Sequence, residues 1–313
     1  AFAFGPSYDA MRGRLERAFD LFIDVSAMSD ADIVQQARAL ELDIAVDLAE
    51  HTQDARTGVF ASRVAPVQAA WLGYPGTMGA DFIDYLIADK TVIPDDGLSG
   101  YSDKIVRLPY SYLVSDTARP ISGKVFTRQE MGLPEEGFVF CCFNNAYKLN
   151  PRCFESWMRI LRAVEGSVLW LSGGNPVMIG HLRNAAERQG VKAERLVFAM
   201  RVPSNADHLA RHRLAGLFLD TLPYNAHTTA LDALWVGLPV LTLMGQSFAG
   251  RAAASALNAL DMSELITCTE DDYVAMAVEL AAHPAKLAAI KARLAQNMRS
   301  ADRKNTRLNS SHG

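Results

Sequence analysis

A histidine and two threonines stand at the start of a predicted helix in the second half of the chain. The stretch NAHTTALDALWVGLPV, residues 225–240, follows the strand pattern LFLD and the loop TLPYNAH. Thr228 and Thr229 can cap this helix after His227, and its first backbone N–H groups stay available to an anion because they lack a partner within the helix. The pattern therefore indicates a site for a diphosphate.

Asp232 lies four residues after Thr228, so the two side chains share one face of the predicted helix. A carboxylate one turn inside the helix could accept hydrogen bonds from a ribose diol. The alternative is that Thr228 only caps the helix, while His227 and Asp232 are solvated polar residues. Spacing alone does not decide between these two interpretations.

Lys148 offers a positive charge for the same phosphate. The loop FNNAYKLNP, residues 143–151, follows another strand pattern, and its lysine lies three residues before a proline that can start a helix. A lysine at the carboxyl end of a strand can neutralise a phosphate held at a neighbouring helix start. The alternative is an ordinary surface lysine.

A third group of side chains lies in the stretch NADHLARHR. His208, Arg211 and His212 occupy positions i, i+3 and i+4, so one helical face would carry two imidazole rings and a guanidinium. A nucleobase could stack on such a face. A merely solvated polar face is the alternative.

The elements that must position these residues are short apolar strands alternating with helical patterns, which is typical of a parallel sheet covered on both faces. The alternation is regular from about residue 137 and less regular before it. We predict an α/β fold of two open lobes with a cleft between them, and we expect ligands beyond the carboxyl ends of the strands. The predicted boundaries are 1–120 for the first lobe, 121–300 for the second, and 301–313 for a polar tail, for which a non-native origin is one interpretation.

Composition narrows the classes of function. Half of the 313 residues are apolar, 21% are charged and the formal net charge is −4, with no basic run before the last dozen residues. A nucleic-acid partner is therefore not expected, and no apolar run approaches the length that spans a bilayer. We expect a cytoplasmic protein without a membrane partner, and reduced, buried cysteines.

Motifs for metals and cofactors are weak or missing in the sequence. There is no G-x-x-x-x-G-K-[ST] loop, and SGGN at 172–175 is not a dinucleotide fingerprint. No histidine and carboxylate cluster has spacing for zinc, and the DxD in SDAD, residues 29–32, opens a predicted helix as a cap. We expect neither a cofactor nor a metal.

Three longer segments carry a resemblance to a known family: WLGYPGTMGADFIDYLIAD, FNNAYKLNPRCFESWMRIL and LFLDTLPYNAHTTALDALWVGLPVLTLMGQSFAGRAAASAL. They resemble the catalytic region of the O-linked N-acetylglucosamine transferase and SPINDLY family, in order, from roughly residue 15 to 298. The block HTT-x-x-D-x-LW is highly specific for that family.

The resemblance implies a GT-B glycosyltransferase, with two Rossmann-like lobes, that is metal-independent and inverting. It would transfer N-acetylglucosamine from UDP-GlcNAc to serine or threonine hydroxyls of proteins. The alternatives are a related protein O-fucosyltransferase that uses GDP-fucose, and a nucleotide-sugar-binding module without turnover.

The resemblance also implies roles for individual residues. Lys148 and His227 are implied to be the catalytic residues, with Lys148 stabilising the departing UDP. The nucleotide-sugar site is implied to comprise Asn145 and Lys148 on the diphosphate, His227, Thr228 and Thr229 at the helix start, and His208, Arg211 and Asp232 at the uracil and ribose. The glycine-rich turn GYPGTMG matches a loop that borders the cleft in the family, although an ordinary tight loop is equally compatible with its sequence.

The chain also departs from the family pattern. The family's catalytic region begins upstream with a histidine-bearing segment, so the first lobe is expected to be incomplete and no general base is assigned. The closing helices that follow Met298 in the family, and the tetratricopeptide region expected in the full-length protein, are not recognised in this sequence.

Overall fold

The computed structural model describes residues 1–5 and 10–309. The chain forms two compact units. Unit 1 comprises Ala1–Ala88 and Asp96–Arg107, and unit 2 comprises Asp89–Asp95 and the chain from Leu108 onward.

Unit 1 is built around a four-stranded sheet. Its helices and strands are β1 Phe2–Ala3, α1 Ala10–Glu16, β2 Ile23–Asp24, α2 Asp30–Ala39, β3 Ile44–Asp47, α3 Thr57–Ala61, β4 Val67–Ala70, β5 Tyr85–Asp89 and β6 Lys104–Leu108. The sheet order is β3-β4-β5-β6, and β1 pairs separately with β2. Ser29 caps α2 through its hydroxyl, and the Asp32 carboxylate accepts from the Ser29 amide in return. The DxD of this segment therefore acts as a capping box, as predicted.

Unit 2 contains the regular alternation of strands and helices predicted from the sequence. Its elements are β7 Val139–Cys142, α4 Pro151–Ala163, β8 Val168–Ser172, α5 Pro176–Arg188, β9 Leu196–Ala199, α6 Asn205–Arg211, β10 Leu217–Leu219, α7 Thr228–Trp235, β11 Val240–Leu243, α8 Ala252–Ala259, β12 Ile266–Thr267, α9 Glu270–Ala282 and α10 Pro284–Asn309. Asparagine caps set the starts of α4 and α5, each followed by a proline in the first turn.

The six strands of unit 2 form one parallel sheet in the order β12-β11-β10-β7-β8-β9. Numbered from β7, this is the order 3-2-1-4-5-6 of the doubly wound nucleotide-binding fold. The order reverses between β7 and β10, which pair through Leu217 with Phe140 and Phe218 with Cys141. The carboxyl ends of these two strands therefore define the switch point at which such folds bind ligands.

The core of unit 2 lies on both faces of this sheet. Trp157, Trp170, Phe140 and Phe218 are the largest of its fully buried side chains. The two cysteines of β7 are buried in the same cluster, and burial raises the pKa of both thiols well above their ordinary value. They pack as small apolar residues, as predicted, whereas Cys268 is exposed.

Several sequence predictions differ from the structure. The boundary was predicted at residue 120, but residues 108–120 lie in unit 2, because Ser111 hydrogen-bonds Ser255 and Arg119 pairs with Asp232. The predicted tail begins inside α10, which continues past Met298 to Asn309. Its last residues, 310–313, lie outside the described residues. Within the described chain, no helix is long and apolar enough to cross a membrane.

Candidate active site

The loops after β7 and β10 bring together the two stretches singled out in the sequence. The loop after β7 carries Asn145 and Lys148, and the loop after β10 leads into His227 and the start of α7. Lys148 and Asn225 are 77 residues apart in sequence, yet the Lys148 Nζ donates to the main-chain carbonyl of Asn225 at 2.7 Å. The strand order therefore places the predicted phosphate ligands at the switch point of the sheet.

The start of α7 is open to a ligand. Its first residue, Thr228, is exposed, and its N-cap residue, His227, makes no side-chain capping bond. Within the part of the chain that the structure describes, the amides of Thr228 and Thr229 have no hydrogen-bond acceptor. Two free N–H groups at the positive end of a helix dipole can bind an anion, which is what the predicted diphosphate site requires.

Lys148 is held in a partly buried position beside this helix start. Besides its bond to the Asn225 carbonyl, its ammonium nitrogen lies 4.2 Å from the centroid of the Tyr224 ring. Burial lowers the pKa of Lys148, and the nearby Asp220 carboxylate opposes that shift. An ammonium has three donors, so the contact with Asn225 leaves two of them for phosphate oxygens.

His227 shares the Asn225 carbonyl with Lys148. Its Nδ1 lies 3.0 Å from this oxygen, and because a carbonyl only accepts, Nδ1 carries the proton. Burial, together with the charge of Lys148, lowers the pKa of His227 to about 4. The ring is therefore neutral at pH 7, and its Nε2 presents a lone pair, so it donates to a phosphate only after it takes up a proton.

The two neighbouring asparagines of the loop after β7 differ in burial. Asn145, predicted to contact the diphosphate, is exposed and makes no capping bond. Asn144 is buried, its Nδ2 donates to the Thr221 hydroxyl at 2.8 Å, and its Oδ1 accepts from the Thr229 hydroxyl. Asn144 thus joins the two loops, and Thr229 is tied to it through its side chain while its amide stays open.

Asp232, predicted to bind the ribose, is buried and paired. Its Oδ1 accepts from the Arg119 guanidinium, which also contacts the Ser115 hydroxyl at 3.2 Å and lies over the Trp235 ring. One carboxylate oxygen therefore already has a cationic partner. A ribose diol would have to use the other oxygen, Oδ2, or share the first.

The predicted base-binding residues lie at the ends of β8 and β9. His208 and Arg211 line a cavity of about 430 Å³ there, together with residues of both strand ends. Arg211 Nη2 donates to His208 Nδ1 at 2.6 Å, so the proton of His208 sits on Nε2. Burial, with the charge of Arg211 second, lowers the pKa of His208 to about 4.

The third member of that helix face, His212, points away from the cavity. It is fully buried, packs edge-on against Phe143 at 4.9 Å, and its Nδ1 contacts the His208 carbonyl at 2.8 Å. The rings of His208 and His212 share a face, as predicted, with centroids 4.8 Å apart, but His212 is buried and does not line the cavity, so neither base stacking nor a solvated face applies to it. A larger cavity of about 700 Å³ between α4 and α5 contains none of the predicted site residues.

The glycine-rich loop of unit 1 is tightly held. The Gly73 amide donates to Glu50 Oε1 at 2.9 Å, and a Cβ on Gly73 would lie 2.5 Å from the Leu48 carbonyl. At the other end of the loop, Thr77 donates to the buried Asp103 carboxylate. Burial raises the pKa of Glu50 to about 7. Only glycine fits at position 73, because the backbone there lies so close to the Leu48 carbonyl.

Some residues of the site were not identified from the sequence. Asn225 supplies the carbonyl that Lys148 and His227 share, Asn144 and Arg119 fix two of the predicted ligands, and Asp220 lies beneath the loop. The position of Asp220 directly after a strand was the available signal. Among the residues that the structure describes, no group of three or more His, Cys, Asp or Glu side chains could hold a metal ion.

The fold and this site define a class of protein. A doubly wound sheet with a lysine and an open helix start at its switch point has the arrangement that nucleotide-binding folds use, and the structure as a whole has the GT-B class of fold. A glycosyltransferase from Rickettsia africae matches it with a TM-score of 0.55 over 98% of this chain and 88% of that one. At 10% identity that likeness concerns the fold alone.

The chain belongs to glycosyl transferase family 41. The sequence profile of this family matches residues 2–123 and 117–311, which confirms the resemblance found in the sequence. The solved structure of an O-GlcNAc transferase mutant from Thermobaculum terrenum is 33% identical, has a TM-score of 0.87, and is matched over 96% of this chain and 57% of that one.

Two curated plant proteins are also similar. The probable UDP-N-acetylglucosamine–peptide N-acetylglucosaminyltransferase SEC of Arabidopsis thaliana is 36% identical over 89% of this chain and 29% of its own length. The tomato protein of the same description named SPINDLY is 31% identical over 92% of this chain and 31% of its own length. The chain thus spans about three tenths of the length of these relatives.

Proposed function

We propose that the complete protein is a glycosyltransferase that moves N-acetylglucosamine from UDP-GlcNAc to serine or threonine hydroxyls of proteins. The observation that carries this proposal is the meeting of Lys148 and His227 on the Asn225 carbonyl, beside the open start of α7. The names of the relatives, which describe peptide N-acetylglucosaminyltransferases, support the choice of donor and acceptor.

In this proposal the main catalytic device is stabilisation of the leaving UDP. Negative charge grows on the phosphate oxygens as the glycosidic bond breaks, and preorganised donors aimed at that charge lower the barrier. Lys148 offers two free N–H donors, and the amides of Thr228 and Thr229 offer two more. His227 would contribute a further donor after taking up a proton from solvent.

We further propose that the reaction needs no metal and inverts the anomeric configuration. Positive charge from Lys148 and from the helix dipole can take the place that a cation holds at a diphosphate. Inversion follows if the acceptor hydroxyl attacks the anomeric carbon directly while UDP departs from the opposite face. The hydroxyl proton then goes to a general base, which we do not assign.

The remaining parts of the proposal concern the surroundings of the enzyme. Asn145, His208, Arg211 and Asp232 complete the nucleotide-sugar site, with the base in the cavity at the ends of β8 and β9. We propose protein acceptors, a tetratricopeptide region in the full-length protein, a cytoplasmic location, and neither nucleic-acid nor membrane partners.

Calorimetry with UDP, UDP-GlcNAc and GDP, each in the presence of EDTA, tests the proposal. We expect UDP and UDP-GlcNAc to bind, and GDP to bind more weakly. Preferential binding of GDP would favour the O-fucosyltransferase, and loss of UDP binding in EDTA would refute metal independence. Transfer from labelled UDP-GlcNAc to a serine-rich protein by the full-length enzyme separates a transferase from a binding module without turnover.

A further inference from the structure

The Asp220 carboxylate is buried directly beneath the loop that leads to α7. Asp220 is only 3% exposed. Oδ1 accepts from the amide of Thr221 at 2.7 Å and from the amide of Ala226 at 2.6 Å, and Oδ2 accepts from the Thr242 hydroxyl at 2.7 Å. All three donors thus converge on one carboxylate.

Two of these contacts close the loop into a ring. Thr221 is the first residue of this loop and Ala226, just before His227, is the last. The Asp220 carboxylate therefore joins the two ends of residues 221–226. Asn225 lies within the ring, next to the anchored Ala226 amide. Its carbonyl accepts from both Lys148 at 2.7 Å and His227 at 3.0 Å. The position of that carbonyl, and hence of both side chains, depends on how the ring is held.

The backbone of Asp220, outside the ring, has a separate contact with the core. The Tyr273 hydroxyl donates to the main-chain carbonyl of Asp220 at 3.0 Å, and Trp157 Nε1 donates to the same hydroxyl at 3.2 Å. These contacts involve the backbone of Asp220 and not its carboxylate. Tyr273 therefore offers a matched control that perturbs the same buried region without touching the ring.

We propose that Asp220 is a positioning residue for the diphosphate site, whose carboxylate holds loop 221–226 so that Lys148 and His227 face the start of α7. This inference rests on the proposed function in taking that site to bind a nucleoside diphosphate. Asp220 does not touch the ligand, and it acts through the Asn225 carbonyl.

The electrostatics of the carboxylate agree with this geometry. Burial raises the pKa of Asp220 to about 6, while the three hydrogen bonds and the charge of Lys148 hold it from rising further. The titratable groups that face it are Lys148, Cys142, Cys153 and Tyr273. At pH 7.5 the carboxylate is ionised, and both oxygens can accept.

Truncation and isosteric substitution of Asp220 in the full 313-residue chain test the inference at pH 7.5. Asp220→Ala removes every side-chain acceptor, and Asp220→Ser removes the carboxylate but keeps one hydroxyl oxygen on a shorter side chain. Asp220→Asn keeps one oxygen for the two amides, and its amide group can donate to the Thr242 hydroxyl. Circular dichroism establishes that each variant is folded. UDP affinity is measured by calorimetry.

A second readout, NMR titration of His227, needs no ligand. We expect Asp220→Ala and Asp220→Ser to raise the pKa of His227 from about 4 toward its ordinary 6.5, since the ring loses its burial. UDP affinity should fall at least about tenfold, equal to about 1.4 kcal/mol. Asp220→Asn should keep the pKa of His227 near that of the unsubstituted chain and UDP affinity within about threefold.

Tyr273→Phe is the control, and we expect it to lower thermal stability while leaving both readouts unchanged. The inference is overturned if the truncated variants keep the pKa of His227 and UDP affinity, or if Asp220→Asn loses as much as Asp220→Ala. Equal losses in Tyr273→Phe would overturn it as well. If the unsubstituted chain does not bind UDP, the proposed function fails, and the pKa of His227 still decides the role of Asp220.

Discussion

Replacing Lys148 by methionine removes the ammonium group and keeps an unbranched stem of similar length. In the folded chain this ammonium donates to the Asn225 carbonyl at 2.7 Å and lies over the Tyr224 ring. A hydrogen bond to a charged group contributes about 1.5–3 kcal/mol. We therefore expect Lys148→Met to weaken UDP binding by roughly 10- to 150-fold, because each 1.4 kcal/mol is a factor of ten.

Calorimetry with UDP and with uridine measures this effect, because only UDP carries the diphosphate. Uridine affinity should change little. Lys124 provides a matched control: it is an exposed lysine of unit 2 that lies over the Phe126 ring, and Lys124→Met changes the net charge by the same amount. Equal weakening of UDP by both substitutions would mean that long-range charge, and not a contact, is responsible.

The pH dependence of UDP affinity adds a sign to this prediction. Burial lowers the pKa of Lys148 below that of an exposed lysine. The ammonium form, and with it the UDP affinity that depends on the charge, is therefore lost as pH rises through this lowered pKa. This alkaline loss should vanish in Lys148→Met. In the complete protein, turnover should fall further than UDP affinity, since the contact strengthens in the transition state. Unchanged UDP affinity in Lys148→Met would refute the placement of the diphosphate.

Three further predictions follow from the buried ionisable groups of unit 2. Asp232→Asn, which can still accept from Arg119, should weaken UDP more than pyrophosphate in calorimetry, because only UDP carries the ribose diol; equal losses would argue against a ribose contact. A fragment of residues 89–309 should bind UDP like the whole chain. A fragment of residues 121–309 lacks Arg119, the partner of Asp232, and its free energy of unfolding in urea titrations should be lower by about 3–5 kcal/mol. Equal stability of the two fragments would show that the Arg119 pair is dispensable. Burial lowers the pKa of His212 to about 3, so the folded form loses stability as pH falls below 6.5. His212→Asn should therefore reduce the loss of unfolding free energy between pH 7 and pH 5 by about 2 kcal/mol, measured in urea titrations followed by tryptophan fluorescence. An identical loss in both proteins would contradict this.

Local patterns were sufficient to predict most of unit 2. The apolar runs that became β7 to β11 and the helices between them depend on periodicity within a few residues, and these predictions are confirmed. The open start of α7 at Thr228 is likewise a local property, since free N–H groups exist at any helix start. The position of Lys148 in a loop after a strand was also readable from its own segment.

Helices and strands outside that alternation were less well predicted. Nothing in the sequence argument identified β6, α9 or α10, and residues 301–313 were predicted as a polar tail, whereas α10 continues to Asn309. The boundary between the units was placed too late for a related reason. Residues 108–120 contain few periodic signals, and their assignment to unit 2 depends on partners such as Ser255 and Asp232.

The partners of the site residues could not be predicted from the sequence. Arg119 and Asp232 are 113 residues apart, and Asn144 and Thr229 are 85 apart, so no spacing rule connects them. They meet because β7 and β10 are neighbours in a sheet whose order reverses between them. Residue types and local periodicity specify which side chains are available at each strand end. The long-range pairing of strands, driven by burial of their apolar faces, decides which of those ends lie together.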